Sequence, residues 1–440
     1  MKFRLYAGWP LALCLGFAVL SVVRAQDVGG PVLPPRGGPP SLPRALTRRE
    51  AVAEALAHNP GLTAAREQVA EAKAGITIAK AWPDPQLVTE ADQLSSFFSP
   101  HSASEHDVGL SFTVPFPDRT RLNGRVARAG WKQAQYALTQ LEQQTASATA
   151  QAYDAVLVAL RHHDDLRQSQ DMSEQFLRRT EARFRAGTSA RLDVLKAQVD
   201  YSKTQNELIA NEREIANARA TLNRLLGRPL PARIHLTDSL ALPPRLPGLG
   251  ALERIAVRSR PELKSIASQK EAARDSTRLA RRFWEPDLNL TLWRSQIAGA
   301  PDSYKFDGGI SLPLLFWQHK KGAIAQAEHR ERELHATGND LVAQVLLDVR
   351  TSYANATTAW RQAEYLRNEL LPEARAVYRS ASTSYKLGGS SALELLDAKG
   401  TLLDAESQYT DALGAVNDAR ADLGRAIGAP LPPILPTHEK

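Results

Sequence analysis

Two hydrophobic rhythms run along this chain. In the first, apolar residues recur at every second position. Val108, Leu110, Phe112 and Val114 alternate with Gly109, Ser111 and Thr113. Leu288, Leu290 and Leu292 alternate with Asp287, Asn289 and Thr291, and Ile310, Leu312 and Leu314 with Gly309, Ser311 and Pro313. A weaker stretch lies near Gln86 to Asp92. Period two puts apolar side chains on one strand face and small or polar ones on the other. Strands are therefore expected at about 86–92, 107–115, 287–293 and 306–314.

The second rhythm is helical. Thr47 with Glu50 three residues on is a capping-box start. The helix it opens runs to about Ala81, where Trp82-Pro83-Asp84-Pro85 stops it. No proline lies between Pro117 and Pro229, and only Gly187 and its neighbours look like a turn there. Helices of roughly 60 and 38 residues follow, about 90 and 57 Å long. Val194, Tyr201, Leu208, Ile215 and Leu222 repeat every seven residues, as do Leu395, Leu402, Tyr409, Val416 and Leu423. Such seams make helices supercoil around neighbours.

The design occurs twice. Asn59-Pro60-Gly61-Leu62 matches Arg260-Pro261-Glu262-Leu263, and Pro85-Gln86-Leu87 matches Pro286-Asp287-Leu288. Phe184-Arg185-Ala186-Gly187 matches Tyr385-Lys386-Leu387-Gly388. Leu192-Asp193-Val194-Leu195 matches Leu393-Glu394-Leu395-Leu396, and Leu226-Gly227-Arg228-Pro229-Leu230 matches Ile427-Gly428-Ala429-Pro430-Leu431. All five share an offset of 201, while Gly109 and Ser111 match Gly309 and Ser311 at 200. Each unit reads helix, strand, strand, long helix, turn, long helix. Repeat 1 covers 46–230 and repeat 2 covers 248–431, joined by a proline-marked linker at 231–247 and followed by a tail at 432–440.

Lys2 and Arg4, an apolar run from Leu5 to Val23, and Val23-Arg24-Ala25 before Gln26 read as a secretory signal peptide, residues 1–25. A Pro/Gly-rich leader, 26–45, follows. Cleavage after Ala25 lowers the net charge from +7 to +4, too mild to argue for nucleic acid. Cys14, the single cysteine, lies in the apolar run behind Leu13 and reads as removed rather than lipidated. The mature chain then has no disulfide, and its stability comes from packing. With 43% hydrophobic residues and no second long apolar run, the chain is neither disordered nor a multi-span helical membrane protein.

Four strands of about ten residues cannot stand alone. Each shows an apolar face, and the outer two expose unpaired edges. In a bilayer every backbone polar group needs a partner, so the sheet must close, and four strands are too few. Several chains must pool their strands; three would give twelve, within the range of outer-membrane barrels. Val108, Leu110, Phe112, Leu288, Leu290, Leu292, Ile310, Leu312 and Leu314 would then meet outer-membrane lipid, and Ser111, Thr113, Asn289, Thr291 and Ser311 a wet pore.

The duplicated plan, with Ala186-Gly187-Thr188…Leu192-Asp193-Val194-Leu195 and Leu387-Gly388…Leu393-Glu394-Leu395-Leu396-Asp397-Ala398, resembles TolC-type outer-membrane efflux channels over about residues 46–431. The resemblance implies a mostly α fold with transmembrane β. As a homotrimer it forms a 12-stranded β-barrel continued through the periplasm of a Gram-negative bacterium by a long α-helical barrel. It implies a periplasmic adaptor (membrane fusion) protein and an inner-membrane pump of RND type as partners, no cofactor and no catalysis. The turns at Gly187, Thr188, Gly388 and Gly389 match the tips that adaptor hairpins engage. Glu394 and Asp397 match the acids that line the periplasmic constriction. Tyr385 and Asp193 match links that hold the tip closed; a third member of that lock, commonly Arg in the family, is Ser390 here. The cargo implied is heavy-metal cations; drug or solvent efflux and type I protein secretion are the alternatives. A periplasmic coiled-coil scaffold would explain the heptads but not four matched strands.

The remaining signals are weaker. His162-His163-Asp164-Asp165 reads as a polar helix surface, because adjacent helical residues point about 100° apart and the two imidazoles do not share an ion. His101 and His106 fall in a surface loop between strands. No metal site is expected. Trp82 and Trp317 read as an interfacial aromatic belt, with Phe97, Phe98 and Trp293 as further candidates.

Overall fold

Proline sets the first break. Pro60 has no N–H to continue a helix and biases Asn59 away from helical angles. The helix expected from Thr47 to Ala81 is therefore two: α1, Arg48–His58, and α2, Pro60–Lys80. The Asn59 side chain accepts from the Gly61 and Leu62 N–H groups and caps α2. Thr47 opens α1 with a complete capping box: its Oγ1 accepts from Glu50 N at 3.2 Å and Glu50 Oε2 accepts from Thr47 N at 2.9 Å. Repeat 2 breaks the same way before Pro261, giving α5, Leu249–Ser259, and α6, Pro261–Arg281. This computed structural model describes residues 45–92, 105–282, 285–297, 301–311 and 316–431. The signal peptide with Cys14, the leader up to Arg44, Phe97, Phe98, His101, Leu312, Leu314 and the tail lie outside the described residues.

Repeat 1 continues with β2, Gln86–Asp92, β3, Glu105–Val114, α3, Pro117–Arg185, and α4, Arg191–Leu226. Repeat 2 has β5, Asp287–Ile297, β6, Ser303–Ser311, α7, Phe316–Tyr365, α8, Leu371–Leu387, and α9, Ala392–Ile427. At 69 residues, α3 is about 100 Å long. It is longer than the pattern suggests because it starts directly behind β3. A two-residue strand β1, Ala45–Leu46, pairs in parallel with β4, His235–Leu236.

Between α7 and α8 lies one π turn, Leu366–Leu370. Its origin is visible in the repeat. Tyr153 and Tyr353 stand 200 apart, Phe184 and Tyr385 stand 201 apart. One extra residue has entered the second long helix, and a π turn is how a helix absorbs it. Pro372 follows at the start of α8, where the missing N–H is tolerated because the turn has already loosened the ladder.

The four long strands form one antiparallel sheet in the order β2-β3-β5-β6. Its central pair, β3 with β5, joins the two repeats. The seven-residue seams are inside: Ile215, Leu222, Leu395, Leu402, Val416 and Leu423 are buried. Each repeat has its own core at the level of α1 and α5. Leu46, Tyr153, Val156, Leu222 and Ile234 pack in the first, and Leu252, Val345, Val349, Leu423 and Ile427 in the second.

Beside the first core Asp154 is almost fully buried, with Arg48 Nε donating to its Oδ1 at 3.1 Å. Burial pushes its carboxyl up to about 6 against the pull of Arg48, with Asp418 and Asp238 adding to the rise. The folded chain thus holds this proton more tightly than the unfolded one. The stability this proton contributes is full below about pH 4 and is lost as pH rises through about 6. Thermal unfolding followed across that window should show the loss, and Asp154→Asn should flatten it; an unchanged slope would contradict the assignment.

Candidate functional site

The sheet face comes first. Pairing puts Leu87, Leu110, Leu292 and Phe306 side by side in one row across all four strands, each at least 39% exposed. The next rows toward the helices hold Phe112, Leu290 and Gly308, then Val114, Leu288 and Ile310. Val108 lies on the same face, one row further from the helices. A contiguous apolar face of this extent needs a partner other than water. The opposite face is polar. Thr113 Oγ1 donates to Asn289 Oδ1 at 2.9 Å, Thr291 Oγ1 to Ser111 Oγ at 3.1 Å, and Lys305 Nζ pairs with a buried Asp107 at 3.1 Å. Within the chain β2 and β6 are each paired on one side only.

The structure shifts two expectations here. β6 begins at Ser303, so Tyr304 and Phe306 join Ile310 on its exposed face, with Lys305, Asp307 and Gly309 as their alternating partners. Trp293 belongs to the polar face. Its ring lies over Gly109, where a Cβ would come within 2.5 Å of the indole, and its Nε1 donates to Asp307 Oδ2 at 2.6 Å. It is not part of an outer aromatic belt. Trp82, just before β2, is exposed. Among the described residues no helix is long and apolar enough to cross a membrane.

The far end of the helices carries the other candidate. α3 turns into α4 at Gly187, and α8 into α9 at Gly388. Both glycines are left-handed, with φ of 73° and 80°, which side chains bearing a Cβ rarely adopt. The N–H groups of Thr188 and Gly389 close each turn onto Arg183 O and Ser384 O, both at 2.9 Å, as a Schellman motif does. The four tip residues Gly187, Thr188, Gly388 and Gly389 are exposed.

Asp193 and Glu394 occupy matching third positions of α4 and α9. Each accepts from a backbone N–H at its helix start, Ala190 at 3.3 Å and Ser391 at 3.1 Å. Asp193 also accepts from Ser189 Oγ at 2.9 Å. Glu394 and Asp397 are exposed on one side of α9. Tyr385 and Asp193 each have partners of their own within the chain. The Tyr385 ring is buried against Phe176, with centroids 5.5 Å apart, and its hydroxyl meets Thr180 Oγ1 at 3.1 Å. Asp193 is held by its own helix start, so the two do not meet. Ser390 Oγ donates to Ala381 O at 3.3 Å.

Two bonding groups that the pattern alone did not single out join the repeats here. Arg183 donates to Tyr385 O at 3.0 Å and lies over its ring at 4.8 Å. About three turns of α3 further from the tip, Lys399 of α9 is buried. Its Nζ donates to Asp200 Oδ2 at 2.8 Å and also to Ser173 Oγ, bonding α9 to α4 and α3. The available signal was Lys399 standing where a helix seam should be apolar.

His162 Nε2 pairs with Asp411 Oδ1 at 2.8 Å across α3 and α9, and no cluster fit to hold a metal ion occurs among the described residues.

Residues 51–228 and 253–429 match the family described as outer membrane efflux protein, once per repeat. The cobalt-zinc-cadmium resistance protein CzcC of Cupriavidus metallidurans is 23% identical over 430 residues, 95% of this chain and 98% of that protein. The pyoverdine export outer membrane protein OpmQ of Pseudomonas aeruginosa is 24% identical, over 84% of this chain and 81% of that protein. Among solved structures, the Campylobacter jejuni CmeC outer membrane channel superposes with a TM-score of 0.74 at 16% identity, covering 87% of this chain and 85% of that one. CusC does so at 0.74 and 20%, covering 90% and 96%.

Proposed function

We propose that this chain, which belongs to the outer membrane efflux protein family, works as one third of a passive conduit that carries cations out of the cell. The protein is an outer-membrane efflux channel and not an enzyme. One observation carries the three-chain reading: a four-stranded sheet with two open edges and an exposed face whose three rows nearest the helices are apolar, with Thr89 and Arg294 entering only at the Val108 row beyond them. Strand directions alternate from β2 to β6, so β6 of one copy meets β2 of the next antiparallel, and a ring closes without an edge. Three copies give twelve strands. The apolar rows then face lipid, and the Thr113–Asn289 and Thr291–Ser111 ladders line the pore.

The helical end faces the periplasm and is the gate. The exposed turns at Gly187, Thr188, Gly388 and Gly389 receive the hairpins of a periplasmic adaptor, and an inner-membrane pump of RND type supplies the energy. Tyr385, with Thr180 and Arg183, and Lys399, with Asp200, hold the two hairpins together in the closed state. Asp193 and Glu394 fix the helix starts beside the pore. Glu394 and Asp397 from three chains bring six carboxylates to one narrow ring, which favours cations. Likeness to the cobalt-zinc-cadmium resistance protein along nearly the whole chain supports divalent heavy-metal cations as cargo.

Single-channel recording of Glu394→Gln with Asp397→Asn tests the ring. Gln keeps the capping bond at Ser391, so the helix start survives. Cation selectivity should fall several-fold. Unchanged selectivity would remove both acids from the constriction. Sensitivity of a deletion strain to cobalt, zinc and cadmium tests the cargo; a strain as tolerant as its parent would redirect the search toward siderophores or solvents.

A further inference from the structure

The duplication lets one interface be read from another. Within the chain, α9 of repeat 2 packs along α3 of repeat 1. The side of α9 that does so is a heptad row: Leu396, Leu403, Thr410 and Asn417. Leu396 packs in the cluster of Phe176 and Tyr385. Thr410 Oγ1 donates to Asp165 Oδ2 at 3.3 Å. Asn417 lines a groove with Ser147. All four are buried or half-buried.

Subtracting the offset of 201 gives the matching row on α4: Leu195, Ser202, Ile209 and Ala216. All four are exposed. The α3 residues that receive α9 also have counterparts. Ser147 and Asp165 correspond to Leu347 and Tyr365 at an offset of 200, before the π turn, and Phe176 to Val377 at 201, after it. Those counterparts are exposed as well. Leu195, Ile209, Leu347, Tyr365 and Val377 are between 52% and 67% exposed. The chain therefore shows two apolar rows whose repeat-mates are already packed on each other. Five large apolar side chains left in water at these positions forfeit the burial that their repeat-mates have.

We infer that these two rows are the two halves of the contact between neighbouring copies of this chain: α4 of one copy lies on α7 and α8 of the next, in the register that α9 takes on α3 within a chain. This rests on the multi-chain reading above and goes beyond it by naming the facing residues. Leu195 meets the Val377 position of the next copy, Ile209 meets Tyr365, and Ala216 meets Leu347. The contact is heterologous, so a ring rather than a pair results. It is also more apolar than its template. Where the internal contact has Asp165 with Thr410 and His162 with Asp411, the external one has Tyr365 with Ile209 and Gln362 with Ala210. The duplication thus leaves a polar, hydrogen-bonded joint within each chain and an oily joint between chains, alternating around the barrel.

The test uses the full-length chain, whose one cysteine is Cys14. Ile209→Cys together with Tyr365→Cys is oxidised in isolated outer membranes and run on a denaturing gel. Bands of two and three chains are expected from the pair and from neither single variant. Leu195→Cys with Val377→Cys should behave alike, which guards against one pair failing to fold. If the detergent-extracted particle has the mass of three chains and neither pair cross-links, the facing rows are wrong while the three-chain reading stands. If the particle has the mass of one chain, the reading beneath them falls too.

Discussion

Asp200→Ala should be the most damaging single change at the helical end. It leaves the Lys399 ammonium buried with a Ser173 hydroxyl and no counter-charge. Removing one member of a buried pair typically costs about 3–5 kcal/mol, because the remaining charge stays desolvated. The loss falls on the bond between α9 and the α3–α4 hairpin, so two readouts should move together. Thermal unfolding in detergent should drop, and the channel should open more often in planar bilayers. Lys399→Met with Asp200→Asn removes both charges and leaves no buried ion. It should recover most of the stability while leaving the gate looser than in the parent. If Asp200→Ala unfolds and gates as the parent does, the pair does not hold the closed state.

The second large effect is expected on the sheet. Leu110→Arg or Leu292→Arg places a guanidinium in the row shared by Leu87 and Phe306. An arginine near the middle of a bilayer costs roughly 2–4 kcal/mol on a barrel surface, and a three-chain ring carries it three times. Heat-stable oligomer in the outer membrane should fall sharply. Ser111→Arg, one residue away on the opposite face, should assemble and instead change conductance. Equal assembly of the Leu110 and Ser111 variants would mean that the two faces do not differ in what they touch.

Much of this architecture is legible in the chain because its physics is periodic. Alternation at Val108, Leu110 and Phe112 needs no tertiary knowledge to become a strand face, and an offset held over five matches needs none to become a duplication. Boundaries are less legible where one backbone group decides. Pro60 cuts a helix that its apolar pattern would carry on. The start of β6 rests on Tyr304 and Phe306, aromatics spaced by charged residues that do not read as an apolar alternation. The helical end is half legible. The glycine turns follow from the repeat, and spacing puts Glu394 and Asp397 on one helix face while only the family resemblance gives them a constriction; the partner of Tyr385 follows from neither. Whether its hydroxyl reaches Asp193 or Thr180 depends on the rotation of α8 against α3. The Lys399–Asp200 bond joins residues 199 positions apart and leaves only a charged residue on an otherwise apolar side as its trace.

The most direct measurement is the mass of the folded, detergent-extracted particle, with hydrogen exchange of its strand amides read on the same sample. Three chains with slow exchange along both β2 and β6 is the predicted result. A particle of one chain, with the outer amides of β2 and β6 exchanging freely into water, would contradict it.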